Sequence, residues 1–331
     1  MKAAYIHEPC PPEGIQYGEL PNPSLEDDKV LVRVCAAAVN PVDTYIRSGR
    51  VPMDLPRPYI LGSDLAGEVV ALGPKARKFR IGQRVWGSNQ GVFGRQGTFA
   101  EFAAVGEKWL YPAPENVSDE TLAAAAMVGL TAWAGLARHA RLRRGERVYV
   151  SGAGGSVGSM VVQIAKLMGA EVVAGTSSEE KAAWLQEHGA DRALDYREGN
   201  LPDLIHRIAP GGVNVWWETS REPDLEAAVE SLSTRGRLVV MAGREARPPI
   251  PIGPFYVKSC SMVGFMIFTE PPHVLEAAAR RIGRWLAEKR IEVPIDRVLP
   301  LSQTAEAHRL QEGRTLEGRV HLRGKLLVRP E

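Results

Sequence analysis

The segment Arg147–Gly169, RVYVSGAGGSVGSMVVQIAKLMG, decides the fold. It opens with a short β-branched run, passes through a glycine-rich turn and ends in a run whose apolar residues recur at helical spacing. Between the predicted strand and helix the glycines are spaced G-x-x-G-x-x-G, which allows a tight turn and a close approach to a pyrophosphate. The segment therefore predicts a dinucleotide-binding βα unit. The residues expected to contact the cofactor in this loop are Gly152, Ala153, Gly154, Gly155, Ser156, Val157 and Gly158.

The same loop also spells G-x-S-x-G around Ser156, the pattern of the nucleophile elbow in serine hydrolases. Such a hydrolase needs an oxyanion donor earlier in the chain and an acid and a histidine later. No HGGG-like segment precedes Arg147. Three later histidines could supply a base or lie at the surface: His273, His308 and His321. The dinucleotide interpretation is favoured, and the hydrolase is kept as an alternative.

The pattern around this segment predicts two domains. The first 120 or so residues contain short β-branched segments separated by Gly and Pro turns, whereas strands alternate with helices after Arg147. Ser118 is the expected N-cap of an alanine-rich helix between the two patterns. The alternation predicts βαβ units and a parallel sheet, so the fold class is α/β. The alternating part of the chain is therefore the expected cofactor domain, and the β-rich start is expected to form a separate domain.

The end of the second strand indicates which dinucleotide is bound. An NAD site usually has Asp or Glu about 20 residues after the glycine loop. Here the strand ends in Thr176 and Ser177, and Lys181 follows one helical turn later. A pocket with hydroxyls and a cation accepts a 2′-phosphate that a carboxylate would repel, so NADPH is the expected cofactor.

Composition excludes several other functions. The 331 residues carry a formal net charge of +2 with no basic tract, which argues against a nucleic-acid or membrane partner. The first residues do not resemble a signal peptide, and the longest apolar run is expected to fall short of the roughly 18 to 20 residues that span a bilayer. Three separated cysteines predict a reducing, cytoplasmic location, and no metal-ligand spacing is visible.

Several segments together resemble a known family. They are VNPVDTYIRSGRVPMDLPRPYILGSDLAGEVVALGPKARKFRIGQRVWG, GLTAW, SGAGGSVGSMVVQIAKLMGA and PLSQTAEAHRL. Nearly the whole chain resembles quinone oxidoreductases of the zeta-crystallin type, in the zinc-free branch of the medium-chain dehydrogenase/reductases. The resemblance implies a GroES-like catalytic domain formed by both chain ends, residues 1–123 and 268–331. It also implies a Rossmann domain between them, residues 124–267, and an active-site cleft at their junction.

The resemblance also implies that no catalytic zinc is present. Zinc-dependent relatives use Cys, His or acidic ligands where this chain has Asn40, Ser63 and Met127. Amide, hydroxyl and thioether groups do not replace thiolate and imidazole on Zn²⁺. Reduction of an electrophilic quinone or enone by direct hydride transfer stays feasible without a Lewis acid.

The resemblance places further site residues. Lys181, Tyr196 and Arg314 are expected to hold the adenosine 2′-phosphate, with Arg319 as the other possible register of the arginine. Asn40 and Tyr45 are expected on the substrate side as the catalytic residues; Asn40 could instead cap the turn before Pro41. The remaining expected cofactor contacts are Thr131, Gly243, Phe265 and Met266.

The sequence therefore predicts an NADPH-dependent quinone or enone reductase without metal. The alternatives are an enoyl-thioester reductase, the hydrolase using Ser156 and a non-enzymatic NADPH-binding protein. The segment Ser259–Phe268, SCSMVGFMIF, is apolar on both faces and is expected to form the last strand of the Rossmann sheet. A bare apolar edge of this kind risks aggregation in a monomer. The resemblance implies that this strand pairs with its two-fold mate in a homodimer, unless the chain's own loop Pro248–Pro254 covers it.

Overall fold

The computed structural model describes residues Met1–Glu331. The strands are β1 Lys2–Ile6, β2 Gln16–Glu19, β3 Lys29–Val39, β4 Tyr59–Ile60, β5 Leu65–Leu72, β6 Arg84–Gly87, β7 Phe102–Gly106, β8 Leu110–Pro112, β9 Arg147–Ser151, β10 Glu171–Thr176, β11 Arg192–Asp195, β12 Val213–Glu218, β13 Leu232–Val240, β14 Ser261–Gly264, β15 Ile295–Pro300 and β16 Lys325–Arg329. The α-helices are α1 Pro41–Arg47, α2 Asp119–Ala134, α3 Ser156–Leu167, α4 Glu179–Glu187, α5 Leu201–Ile208, α6 Leu225–Ser231, α7 Ile252–Val257, α8 Pro272–Ala287 and α9 Thr304–Thr315.

The chain divides into two compact units. The first contains Met1–Met127 and Glu270–Glu331, and the second contains Val128–Thr269. In the first unit β2, β1 and β4 form an antiparallel sheet, and a seven-stranded mixed sheet has the order β15-β16-β3-β5-β6-β8, with β7 on β3. The C-terminal strand β16 pairs with β3, so both ends of the chain build this β-rich unit.

The second unit has a six-stranded parallel sheet in the order β11-β10-β9-β12-β13-β14. This is the doubly wound order in which the chain reverses direction across the sheet after its third strand. The predicted α/β class and parallel sheet are therefore confirmed. Ligands of such sheets bind outside the carboxyl ends of the strands near the reversal, which here is the edge where β9 and β12 end.

The core of the second unit explains why its strands are nearly continuous apolar runs. Tyr149, Val173 and Trp216 on three neighbouring strands are buried, together with helix residues such as Ile205 and Ala228. Strands of a parallel sheet are covered by helices on both faces, so both sets of alternating side chains must be apolar.

The helical segment that begins with α2 contains a longer apolar run than the sequence analysis expected. Ser118 accepts a hydrogen bond from the Thr121 amide (3.2 Å), as expected of an N-cap. The helical segment Asp119–His139 has 21 residues and a mean hydropathy of 1.3, so the expectation that no apolar run approaches spanning length is wrong. However, 78% of its apolar window is buried inside the structure, which is typical of a core helix.

The region near the predicted edge strand also differs in detail from the sequence analysis. The strand β14 covers only Ser261–Gly264 of the expected segment, and it lies at the edge of the sheet as predicted. Part of the expected loop Pro248–Pro254 is helical, because α7 begins at Ile252 directly after Pro251. Proline is well tolerated just before and in the first turn of a helix, so two nearby prolines do not exclude one.

Candidate functional site

The glycine loop after β9 has two positions that require glycine. Gly152 has a φ of +70°, in the left-handed region. A Cβ on Gly158 would lie 2.4 Å from the carbonyl oxygen of Gly152 and 2.8 Å from the Cα of Ala153. Because Gly158 lacks a side chain, α3 begins directly against the end of β9.

The beginning of α3 is suited to an anion. The Gly155 amide donates to the Gly152 carbonyl (2.9 Å), which closes the turn. Gly155 is also the N-cap of α3, and no side chain caps the helix there. The amides of Ser156, Val157 and the next residue therefore lack both an intrahelical and a capping acceptor. This arrangement fits the pyrophosphate of a dinucleotide.

A cluster of cations and hydroxyls lies at the carboxyl ends of β10 and β11. Lys181 lies against the loop, since a Cβ on Gly154 would be 2.7 Å from its Cδ. Thr176 and Asp195 are paired residues of the two neighbouring strands, so Tyr196 and Arg197 follow at the same edge of the sheet. The expected residues Lys181 and Tyr196 are thus placed at one sheet edge. Ser178 caps α4 through the Lys181 amide (3.3 Å), a role compatible with binding.

Arg197 is a candidate that the sequence analysis missed. Its guanidinium forms three hydrogen bonds with the Asp195 carboxylate: Nη2 donates to Oδ2 (2.6 Å), and Nε donates to Oδ1 (3.0 Å) and to Oδ2 (3.2 Å). These bonds lower the pKa of Asp195 to about 2. The negative charge beside Tyr196 is therefore offset by an adjacent cation. The sequence does contain a signal for this residue, because Arg197 follows two positions after Asp195, the last residue of β11.

Other residues expected to contact the cofactor lie elsewhere in the second unit. Thr131 is buried within α2, and Gly243 follows β13 with a φ of +74°. Phe265 stacks on His139 with ring centroids 4.5 Å apart, and the neighbouring Met266 is partly exposed. These contacts do not link the four residues to the glycine loop. Their roles toward the cofactor therefore stay predictions.

The polar side chains at the carboxyl end of β12 form hydrogen bonds within the second unit. The buried carboxylate of Glu218 accepts from the indole of Trp216 (3.0 Å) and from the amide and hydroxyl of Ser220 (2.7 and 2.6 Å). Thr219 donates to the Ser151 carbonyl (2.6 Å) and so joins the ends of β12 and β9. These polar groups therefore stabilise the carboxyl end of β12.

The structure gives no support to the hydrolase alternative. The Ser156 hydroxyl forms no hydrogen bond with a histidine. The later candidate His308 is fully buried in the first unit, and neither of its ring nitrogens has a hydrogen-bond partner. A general base must lie within hydrogen-bond reach of the nucleophile, and nothing in the second unit fulfils that role for Ser156.

The first unit contains a buried polar cluster around Asn40. The Asn40 amide nitrogen donates to Asp64 Oδ2 (2.8 Å), and its oxygen accepts from Lys325 Nζ (2.6 Å). Asp43 accepts from the Asn40 backbone amide (2.8 Å) and from the Ser63 hydroxyl (2.6 Å). These five residues come from four elements or loops, and all of them are buried.

Burial shifts the pKa values of the charged groups in this cluster. Burial raises the pKa of Asp43 to about 7, against the opposing effect of the Ser63 hydrogen bond. Burial also raises the pKa of Asp64. The pKa of Lys325 falls to about 8 because burial outweighs the attraction of the two acids. Burial thus favours the neutral form of each of these three groups, against the mutual attraction of the acids and the ammonium.

This cluster changes the interpretation of Asn40. Its side chain is 1% exposed, and both ends of its amide are engaged inside the unit. These contacts favour the capping alternative, and a contact of Asn40 with substrate stays a prediction. Asn40 precedes Pro41, the first residue of α1, and its backbone amide is capped by Asp43, as in the turn-capping alternative. Asn40 is thus the N-cap of α1, the helix that carries the half-buried Tyr45.

The residues at the positions of zinc ligands in relatives do not fit zinc. Asn40 is bound to Asp64 and Lys325, and the Ser63 hydroxyl donates to Asp43. Met127 is buried and would offer only a thioether, a soft ligand unsuited to a catalytic zinc. No group of three or more His, Cys, Asp or Glu side chains is arranged to hold a metal ion.

The two candidate C-terminal arginines have different surroundings. Arg314 is partly buried in the first unit, where Nη1 donates to the Gly324 carbonyl (2.9 Å). Burial lowers the pKa of its guanidinium, against the attraction of Asp296. Arg319 is exposed and lies 3.8 Å from the Glu317 carboxylate. A role of either arginine toward the cofactor stays a prediction.

The chain is similar to proteins of one superfamily over nearly its whole length. Residues 26–115 match the alcohol dehydrogenase GroES-like domain, and residues 156–284 match the zinc-binding dehydrogenase family. Quinone oxidoreductase of Mus musculus is 32% identical over 315 residues, and that of Homo sapiens is 30% identical over 312 residues; each alignment covers 93% of both chains. The 2-methylene-furan-3-one reductase of Solanum lycopersicum is 36% identical over 232 residues, covering 68% of this chain and 58% of that one.

Solved structures give the same result. A mycobacterial protein crystallised with NADPH has a TM-score of 0.86 and 26% identity, and an NAD-dependent alcohol dehydrogenase has a TM-score of 0.88 and 28% identity; each comparison covers 100% of both chains. A GroES-like domain with a Rossmann-like domain defines a medium-chain dehydrogenase/reductase. Within that class the chain belongs to the quinone oxidoreductase family, and it is an oxidoreductase.

Proposed function

We propose that this protein reduces quinones or enones with NADPH and without a metal. The observation that carries the proposal is the edge formed by β10 and β11. Thr176 and Ser177 stand where an NAD site usually has an acid, Lys181 lies against the glycine loop, and Arg197 offsets the charge of Asp195. Such an edge suits a 2′-phosphate.

The comparisons support the acceptor class. The mouse and human relatives are quinone oxidoreductases, and the tomato relative reduces a 2-methylene-furan-3-one. When bound, the reduced nicotinamide supplies a hydride to such an electrophilic acceptor. The protein then has to bind and orient the acceptor, exclude water and stabilise the negative charge that develops on the acceptor oxygen.

Tyr45 is our candidate for the group that stabilises this charge. Its phenol can donate a hydrogen bond to the acceptor oxygen. The helix α1 that carries it is fixed by the cluster of Asn40, Asp43 and Ser63. We therefore assign Tyr45 the contact with the acceptor and Asn40 the positioning of α1.

The cofactor residues are proposed as a set. The amides after Gly155 would hold the pyrophosphate, and Lys181, Tyr196 and Arg197 would surround the 2′-phosphate. Three further predictions belong to the same proposal. They are a contact of Arg314 with the cofactor, domain limits at residues 124 and 267, and a cytoplasmic location. Three free cysteines support a reducing compartment.

A substrate screen tests this function. Oxidation of NADPH is followed by absorbance with a panel of quinones, enones and enoyl thioesters. We expect turnover with at least one quinone or enone, retained in Ser156→Ala and after treatment with a zinc chelator. A Tyr45→Phe variant should lose about tenfold or more in kcat. Absence of NADPH oxidation across the panel would favour a non-enzymatic NADPH-binding protein.

A further inference from the structure

The second unit contains a basic pocket that lies away from the glycine loop. It has a volume of about 650 Å³ and lies at the amino ends of the strands, whereas the glycine loop follows the carboxyl end of β9. Asn214 near the start of β12 and Ser261 at the start of β14 contribute to its lining. The two sites are therefore at opposite edges of the same parallel sheet.

The lining of this basic pocket is unusually rich in positive charge. Five arginines line it, together with one acidic residue, Glu146. The arginines are Arg138, Arg141, Arg143, Arg235 and Arg237. A concave surface lined by one sign of charge concentrates counter-ions of the opposite sign.

The single carboxylate is already neutralised. Glu146 accepts from Arg237 through both oxygens (2.8 and 2.6 Å) and from the Arg143 amide (2.8 Å). Arg237 also donates to the Ala140 carbonyl (2.9 Å), so it anchors the floor of the basic pocket. Arg141, Arg143 and Arg235 form no ion pair with a carboxylate. Three guanidinium groups thus stay available for an anion.

The helix end alone does not explain these charges. The C-terminal end of the helix that closes at His139 favours nearby cations, which accounts for Arg138 and His139. Arg143 and Arg235 come from other segments. Arg235 lies on a bulge, because Leu232 pairs with Val213 while Arg237 pairs with Val215.

Two of the arginines also occupy a backbone conformation that glycine would adopt more easily. Arg141 has a φ of +49° and Arg235 a φ of +62°. Residues with a Cβ rarely adopt this region, and their placement there is a reason to look for function. The Arg235 amide donates to the Lys258 carbonyl (2.7 Å), so its conformation is fixed by the fold.

We propose that the basic pocket binds a multivalent phosphate anion of the size of a polyphosphate chain. Bidentate guanidinium contacts suit phosphate oxygens, and the volume admits several phosphate groups. The anion is either a free polyphosphate or the phosphate chain of a nucleoside polyphosphate. This site is independent of the proposed reductase activity.

Calorimetric titration of the full chain with inorganic tripolyphosphate tests the proposal. We expect saturable binding at low ionic strength that weakens about tenfold or more when salt is raised to several tenths molar. Arg141→Gly and Arg235→Gly should each weaken binding about fivefold or more, and the double variant should abolish it. Tighter binding of ATP than of tripolyphosphate would identify the nucleoside form, and equal binding the free chain.

The glycine variants have a matched control. Lys289 is an exposed cation with a φ of +53° in the first unit, so Lys289→Gly relieves the same backbone conformation without touching the basic pocket. All three glycine variants should unfold at a Tm no lower than that of the wild type, because glycine adopts positive φ without a steric penalty. Only the two pocket variants should lose affinity.

Two results would overturn the proposal. One is unchanged tripolyphosphate binding in the double variant, or no binding to the wild type. The other is binding that is lost in Lys181→Ala but retained in the double variant, which would assign the anion to the glycine loop.

Discussion

Lys181 is the residue whose contacts most directly affect cofactor choice. It lies against Gly154, and no acid stands at the end of β10 to repel a 2′-phosphate. We expect Lys181→Ala to lower the ratio of kcat/KM for NADPH to that for NADH about tenfold, because one charge-assisted contact is lost. Arg192→Ala, which removes an exposed cation at the opposite end of β11, should leave this ratio unchanged. An unchanged ratio in Lys181→Ala would remove this residue from the phosphate site.

Arg197 acts on the same edge through Asp195. Removal of its guanidinium leaves the Asp195 carboxylate unpaired beside Tyr196, so Arg197→Ala should raise the KM for NADPH severalfold and affect NADH less. Adding Asp195→Asn removes the uncompensated charge and should restore part of the affinity. If the double variant binds NADPH no better than Arg197→Ala, the charge of Asp195 does not matter to the cofactor.

Residues near each other in sequence could be assigned from sequence, and residues brought together by the fold could not. Gly152 and Gly158 belong to one continuous strand–turn–helix segment, whose spacing alone predicts the turn. Asp64 and Lys325 are far apart in the chain, and they meet through Asn40 because β16 pairs with β3. No local pattern distinguishes them from surface charges before that pairing is known.

The helix α9 contains a buried histidine that makes the stability of the first unit sensitive to acid. His308 is fully buried, its ring packs edge-on against Phe99 at 6.0 Å, and neither ring nitrogen has a hydrogen-bond partner. Burial, together with the nearby Arg47 cation, lowers the pKa of His308 from 6.5 to about 3. The side chain is therefore neutral in the folded protein.

The consequence for stability follows from proton binding. Between about pH 6 and pH 3 the unfolded chain protonates this histidine while the folded chain does not, so the free energy of unfolding falls as the pH falls. The contribution is on the order of 1.4 kcal/mol per pH unit in that interval. We expect His308→Leu to lose less stability than the wild type from pH 7 to pH 4 in urea unfolding.

The control for this prediction is His206→Leu. His206 is exposed on α5, so its replacement should leave the pH dependence of unfolding as in the wild type. Parallel curves for His308→Leu and the wild type would show that His308 protonates in the folded state. The charged neighbour of His308, Arg47, and its ion-pair partner Glu312 are unchanged in both variants, so their own titration cancels in the comparison.

Two helices of this protein show where sequence patterns mislead. The βα alternation was predicted because its apolar residues repeat with the periods of strands and helices. The short helix α7 was missed because Pro251 and Pro254 suggested a loop, although Pro254 lies in the first turn, where its missing amide costs nothing. The apolar helix Asp119–His139 shows the converse case, since only burial identifies it as a core element.

Five of the ten large exposed apolar side chains of the molecule lie in the segment that leads into and out of the edge strand β14. The strand β14 pairs only with β13, so its other side presents free backbone groups. Large apolar side chains around this edge are exposed by 46 to 71%. They are Ile252 (61%), Tyr256 (68%), Val257 (71%), Met262 (50%) and Met266 (46%). Such a patch beside a free strand edge marks an interaction surface.

We expect a second copy of the chain to cover this edge, since a two-fold axis beside β14 would pair the two strands and bury both patches. Sedimentation at micromolar concentration should then give twice the chain mass of 36.1 kDa. Met262→Lys and Val257→Asp should shift the protein toward the monomer, because each buries an unpaired charge in the interface. Val298→Lys provides the control: this side chain is 38% exposed on β15, the edge strand of the first unit, and its replacement should leave the mass unchanged. A wild-type mass near 36.1 kDa, or equal masses for the wild type and both β14-edge variants, would contradict pairing through this edge.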